Sequence, residues 1–96
     1  VKTIHKFPFL EDGRVAFEMP EGAEILTVQV QGLSMICLWA LIDTEVSLVM
    51  RKFGIFGTGQ PISVEEKEEL SYIGTVQTHR SRFVWHVFEI KEASNA

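Results

Sequence analysis

Along residues 24–31, Leu26, Val28 and Val30 alternate with Thr27, Gln29 and Gln31. That period of two predicts a half-buried strand. After the short Gly32-Leu33-Ser34 connection, residues 35–42 are apolar at both parities, the mark of a strand covered on both faces. The two segments predict an antiparallel hairpin. The same logic pairs 71–77 with 82–90 around Thr78-His79-Arg80-Ser81. Phe83 to Phe88 is again apolar at both parities, so it reads as a second central strand or as the strand that meets a partner subunit. Residues 3–7 read as a first strand ended, or held at an edge, by Pro8. Val15, Phe17 and Met19 set the inward face of a strand over 14–19, bounded by Glu11-Asp12-Gly13 and Pro20-Glu21-Gly22-Ala23.

Residues 46–56 form a long strand candidate. Arg51 and Lys52 interrupt its alternation, so a bulge is expected there. Gly54, Gly57, Gly59 and Pro61 then break regular pairing. Ser63 followed by Glu66 matches a capping box, and 63–70 is expected to be one short surface helix. Residues 92–96 are expected to fray. Turn signals at short intervals, with no repeat or linker between them, predict one all-β domain over 1–96: a small antiparallel β-sandwich or barrel with one short helix. Trp39, in a doubly apolar strand, is expected to be a core anchor.

The 96 residues carry 46% hydrophobic side chains and a formal charge of −4. The densest basic stretches are Arg51-Lys52 and His79-Arg80-Ser81-Arg82. Such a chain lacks the phosphate-neutralising surface that double-stranded nucleic acid requires. Its single cysteine, Cys37, forms no intrachain disulfide, which points to a reducing compartment. It reads as a small core hydrophobe. Val1-Lys2-Thr3 reads as a native start with no signal peptide, and no apolar run approaches the length of a membrane span.

Candidate chemistry is sparse. His5, His79 and His86 have no Cys or His at metal-ligand spacing, so no metal and no cofactor is expected. His86, between aromatics, reads as a satisfied core or interface histidine, and His79 as a solvated turn residue. No G-x-S-x-G elbow occurs, and the 65–69 carboxylates read as a solvated face. Phe56-Gly57-Thr58-Gly59-Gln60 stands out. Gly57 and Gly59 leave backbone N–H groups open to an anion, Phe56 offers a stacking face, and Arg51 offers a charge for phosphate. The same loop also reads as a tight turn, since it carries neither a dinucleotide nor a Walker signature. Trp39, Phe53, Phe56, Tyr72, Trp85 and Arg51 are the candidates for a base-stacking platform.

The ordered segments Lys2-Thr3-Ile4-His5-Lys6-Phe7-Pro8, Met19-Pro20-Glu21-Gly22-Ala23-Glu24-Ile25-Leu26-Thr27-Val28-Gln29, Cys37-Leu38-Trp39-Ala40-Leu41-Ile42-Asp43, Phe56-Gly57-Thr58-Gly59-Gln60-Pro61-Ile62 and Tyr72-Ile73-Gly74-Thr75-Val76-Gln77 span nearly the full chain. Together they resemble a widespread family of short phage and prophage proteins of unknown function. Many members carry His where this chain has Gln60. The resemblance implies an accessory protein made in the cytoplasm of an infected bacterial cell. The expected function is non-catalytic binding: an anti-defence protein that sequesters a small nucleotide-like signal as a homo-oligomer. The alternative is a protein–protein inhibitor of a host factor or a virion-related interaction protein; a small hydrolase is the third reading.

Overall fold

The computed structural model describes residues 1–93. The expectation for 92–96 falls largely on 94–96, outside the described residues. Seven strands follow in order: β1 Lys2–Pro8, β2 Gly13–Pro20, β3 Glu24–Gln31, β4 Met35–Asp43, β5 Leu48–Gly57, β6 Glu68–Thr78 and β7 Phe83–Glu92. They form a three-stranded sheet, β1-β4-β3, and a four-stranded sheet, β2-β5-β7-β6, in which every pairing is antiparallel. The fold is an open two-sheet sandwich, not a barrel. Both expected hairpins, β3–β4 and β6–β7, are present. The two doubly apolar segments are the interior strands β4 and β7. Pro8 ends the edge strand β1, where its missing N–H costs no ladder bond. No helix among the described residues is long and apolar enough to cross a membrane.

The expected helix over 63–70 does not form. A single turn closes at Glu65–Glu68, where Glu68 N donates to the Glu65 carbonyl at 3.0 Å. From Glu68 onward the chain pairs with β7. The segment has no apolar stripe to bury, so the ladder outweighs the local capping preference.

Between the sheets, Phe7 and Phe9 from the first sheet's side meet Phe17 and Phe53 from the second. Phe9 and Phe17 stand edge to face with centroids 5.2 Å apart, and Phe17 and Phe53 lie 5.8 Å apart. Leu38, Ala40, Ile55, Val87 and Met19 complete this core. Trp39 is not part of it. It lies half-buried on the outward face of the three-stranded sheet, with the Lys6 ammonium 5.9 Å from its ring centroid. Lys6 also donates to Gln31 at 2.8 Å, so a side-chain strap crosses β4 and buries Cys37 beneath it. Burial pushes the Cys37 thiol up, with Lys6 pulling against it. That leaves a poor nucleophile.

The bulges fall elsewhere than expected. β5 keeps its register against β2 through Arg51 and Lys52. Instead β3 shifts between Ile25 and Thr27, and β6 between Tyr72 and Gly74. The first shift puts Ile25 opposite the core residue Ala40 and leaves Leu26 44% exposed. Ile25, not Leu26, therefore joins Val28 and Val30 on the inner face.

Two tests follow from this packing. Phe53→Ala, at a fully buried site, is expected to cost about 3–5 kcal/mol, and Trp39→Ala only about 1–2 kcal/mol because the ring is half-buried already. Chemical denaturation of both variants checks the order. The second test is acid titration. Hydrogen bonds from Arg14, then from the Glu65 N–H, hold the Glu68 carboxyl down to about 2 from the ordinary 4.5. The folded form binds that proton more weakly than the unfolded chain. The stabilisation is therefore complete above pH 4.5 and is lost as pH falls from there toward about 2. Glu68→Gln should flatten this part of the stability–pH curve.

Candidate functional site

The topology collects four connections at one end of the sandwich: 9–12, 32–34, the start of 58–67, and 79–82. Backbone bonds tie them together. His79 N donates to the Leu33 carbonyl and Phe9 N to the Ile36 carbonyl, both at 2.8 Å, and Thr58 N reaches the Val84 carbonyl at 3.3 Å.

The residues nominated from sequence do not converge here. Arg51 and Phe56 stand on opposite faces of β5, as their odd separation requires. Arg51 points between the sheets at the far end. Its Nε and Nη2 grip the Glu89 carboxylate at 2.7 and 2.8 Å, and its Nη1 donates to the Ala23 carbonyl. All three nitrogens are committed, so the side chain is a strut between β5, β7 and the β2–β3 turn. Phe56 faces outward, buried against Phe88 at 6.3 Å between centroids. Its ring lies over Gly54, where an added Cβ would come within 2.6 Å of it. No larger residue fits there.

The loop 57–60 closes on itself. Gly57 N donates to the Gln60 side-chain oxygen at 2.8 Å, Gln60 N to the Gly57 carbonyl at 3.1 Å, and Thr58 N to Val84. These bonds use up the N–H groups that the sequence suggests as an anion nest, except that of Gly59. Gly59 itself has φ +85°, the turn geometry that favours glycine.

Three of these connections, 9–12, 32–34 and 79–82, border a cleft of about 330 Å³ between the sheets, at the lower end of ligand-pocket sizes. Its floor is Phe9, Ile36, Ile55 and Trp85. One rim is Glu11 and Asp12; the opposite rim begins at Thr78 and His79 and continues into Arg80 and Arg82, which line an adjoining depression with Leu33. Trp85 Nε1 donates to Thr78 Oγ1 at 2.9 Å, which fixes the indole. His79, Arg80 and Ser81 all have positive φ, at 53°, 59° and 69°. Left-handed backbone at non-glycine residues costs about 1–2 kcal/mol each, and such strain collects at ligand clamps and switches. Sequence reasoning reads His79 as merely solvated. The one signal available is the turn 78–81, which contains no Gly, Asn or Asp.

His86 stands on the outer face of the four-stranded sheet rather than in the core. Its Nε2 lies 2.7 Å from Thr58 Oγ1 and its Nδ1 3.0 Å from Thr75 Oγ1, which in turn is 2.6 Å from Tyr72 OH. Among the described residues no group of three or more His, Cys, Asp or Glu is placed to hold a metal ion.

Arg51→Ala leaves the buried Glu89 carboxylate without its partner. It is expected to cost about 3–5 kcal/mol of stability while leaving ligand affinity per folded molecule unchanged. Denaturant unfolding beside calorimetric titration separates the two effects; a large affinity loss without a stability loss would return Arg51 to the site.

No curated protein and no solved structure matches the chain. A family model described as a domain of unknown function (DUF7352) matches residues 1–96, and the chain belongs to that family.

Proposed function

We propose that this chain is a non-catalytic binding module that captures a small nucleotide-like ligand in the loop-end cleft. The observation that carries the reading is the cleft's division of labour: an aromatic floor, an acidic rim and a basic rim. A planar base enters against Phe9 and Trp85. Its exocyclic amine donates to Glu11 or Asp12, whose carboxylates make no salt bridge among the described residues. The phosphate stays outside, at Arg80 and Arg82, whose guanidinium forks suit it in paired hydrogen bonds. The strained turn 79–81 presents those two arginines beside the cleft rather than along a strand.

The biological setting belongs to the same proposal: a phage-type anti-defence protein, acting in the host bacterial cytoplasm, that lowers the free concentration of a nucleotide signal. Homo-oligomerisation is proposed with it. The supporting feature is the outward face of the three-stranded sheet, where Ile4 and Met35 are 56% and 40% exposed beside Trp39. That same apolar surface favours the second reading, an inhibitor that docks on a host protein.

Calorimetry against linear and cyclic nucleotides tests the proposal. Arg80→Ala and Arg82→Ala, both in an exposed turn, should each weaken binding by about 1.5–3 kcal/mol with little change in melting temperature. If no nucleotide in the panel binds, the ligand reading fails and the protein-inhibitor reading replaces it.

A further inference from the structure

The bulge in β6 has a chemical product. Without it, Tyr72 and Thr75 would lie on opposite faces of the strand, because their separation is odd. The extra residue, Ile73, is absorbed into the core contacts, and both polar residues then face outward, opposite Phe88 and His86. Bulges of this kind re-aim side chains. The result is a continuous row across the sheet: Tyr72, Thr75, His86, Thr58.

The row is preorganised at its aromatic end. Tyr72 is 61% exposed, yet its ring is held. Its hydroxyl bonds Thr75, and its ring meets Phe88 edge to face at 5.5 Å. Phe88 in turn packs on Phe56. An exposed aromatic ring held at both ends offers a flat face with little entropy to lose on binding.

Its polar end has a countable set of protons. When the imidazole carries one proton, it and the three hydroxyls supply four protons for three hydrogen bonds. With the proton on Nδ1, the imidazole donates to Thr75, Thr75 to Tyr72, and Thr58 to Nε2; the Tyr72 O–H is then free to point outward. With the proton on Nε2 the order reverses, and the Thr58 O–H points outward. In either tautomer one end donates to a ligand and the other end only accepts. A phosphate or carboxylate, which accepts at both ends, is mismatched. A polyhydroxyl ligand, each of whose hydroxyls both donates and accepts, fits either order. Among the described residues no Lys, Arg, Asp or Glu side chain bonds any member of the row.

We infer that the outer face of the four-stranded sheet carries a second binding site, for a neutral saccharide, formed by the Tyr72 ring and the Thr75–His86–Thr58 row. A sugar ring lies on Tyr72 and its hydroxyls reach along the row, which runs from Tyr72 and Thr75 on β6 across His86 on β7 to Thr58, just past the end of β5. This site stands on observations separate from those of the loop-end cleft. It includes neither Arg80 nor Arg82, so the two fail or survive independently.

The test is amide and imidazole NMR on the intact chain. The probes are trisaccharides of glucose, galactose, N-acetylglucosamine and rhamnose at millimolar concentration, with inorganic phosphate and adenosine as competitors. At least one trisaccharide should shift Thr58, Tyr72 and Thr75 and bias the His86 tautomer. Tyr72→Ala should weaken that binding about tenfold or more, the loss of its stacking surface. Tyr72→Phe should weaken it about three- to tenfold, the loss of one neutral hydrogen bond. Because Tyr72 is largely exposed, Tyr72→Phe should melt as the unmodified protein does, which keeps the result readable if Tyr72→Ala folds poorly. The inference is overturned if no trisaccharide shifts the row, if phosphate or adenosine takes the row in preference, or if Tyr72→Phe binds as tightly as the unmodified chain.

Discussion

The ion pair between Arg51 and Glu89 is the constraint on which the sandwich turns. It sits on the inner faces of β5 and β7, where the neighbouring inward positions are Phe53 and Val87. A charge placed there must be fully paired or it costs several kcal/mol. The bidentate grip on Glu89, with the third nitrogen spent on the Ala23 carbonyl, meets that demand and ties β5, β7 and the β2–β3 turn together. At that end of the sandwich the pair lines two depressions of about 300 and 310 Å³ with charged walls. At the other end the inward side chains are Phe9, Ile55 and Trp85, and the space beside them is the cleft. The ends differ in chemistry: one offers a committed ion pair, the other an aromatic surface.

The two sheets meet most closely where β3 passes β6. A Cβ on Gly74 would fall 2.8 Å from Val28 Cγ1, so only glycine permits that approach. Both bulges lie beside this contact, one in each strand. Bulges sharpen local twist and bend a strand, which lets the two edges fold over each other. On the far side of the sandwich, Phe7 and Phe17 bring β1 and β2 together at 5.7 Å.

Strand positions and the hairpins were legible because alternation and turn residues carry them directly. The bulges were not. At Ile25-Leu26 two apolar residues stand side by side, so the pattern is satisfied whichever of them turns inward, and only pairing with Ala40 decides. The helix expected over 63–70 is absent for the converse reason. Ser63 and Glu66 give a local signal, whereas Glu68, Glu69 and Leu70 find ladder partners in β7, and a long-range partner leaves no trace in a short window. Arg51 looked like a free cation because its counter-charge lies 38 residues away. The cleft was hidden more completely. It draws on three separate connections, and its basic rim is a strained turn without the glycine that normally announces positive φ.

β7 links the loop-end cleft to the outer hydroxyl row. Trp85 points inward to the cleft floor, and the next residue, His86, points outward to the hydroxyl row, as strand periodicity demands. Each is locked by a neighbour on β6: Trp85 by Thr78, His86 by Thr75. Thr78 and Thr75 lie on opposite faces of the strand, as their odd separation requires, because the bulge that re-aims Tyr72 precedes them both. The short β6–β7 ladder from Thr75 to Thr78 therefore sets the inward indole and the outward imidazole together. A change that slips this register by one residue exchanges the two faces: it sends His86 toward the cleft and Trp85 into solvent. The turn 79–82 fixes that register, because His79 N is anchored to Leu33 in the β3–β4 connection. The strain held in three left-handed residues is thus opposed by a ladder whose alignment both surfaces require.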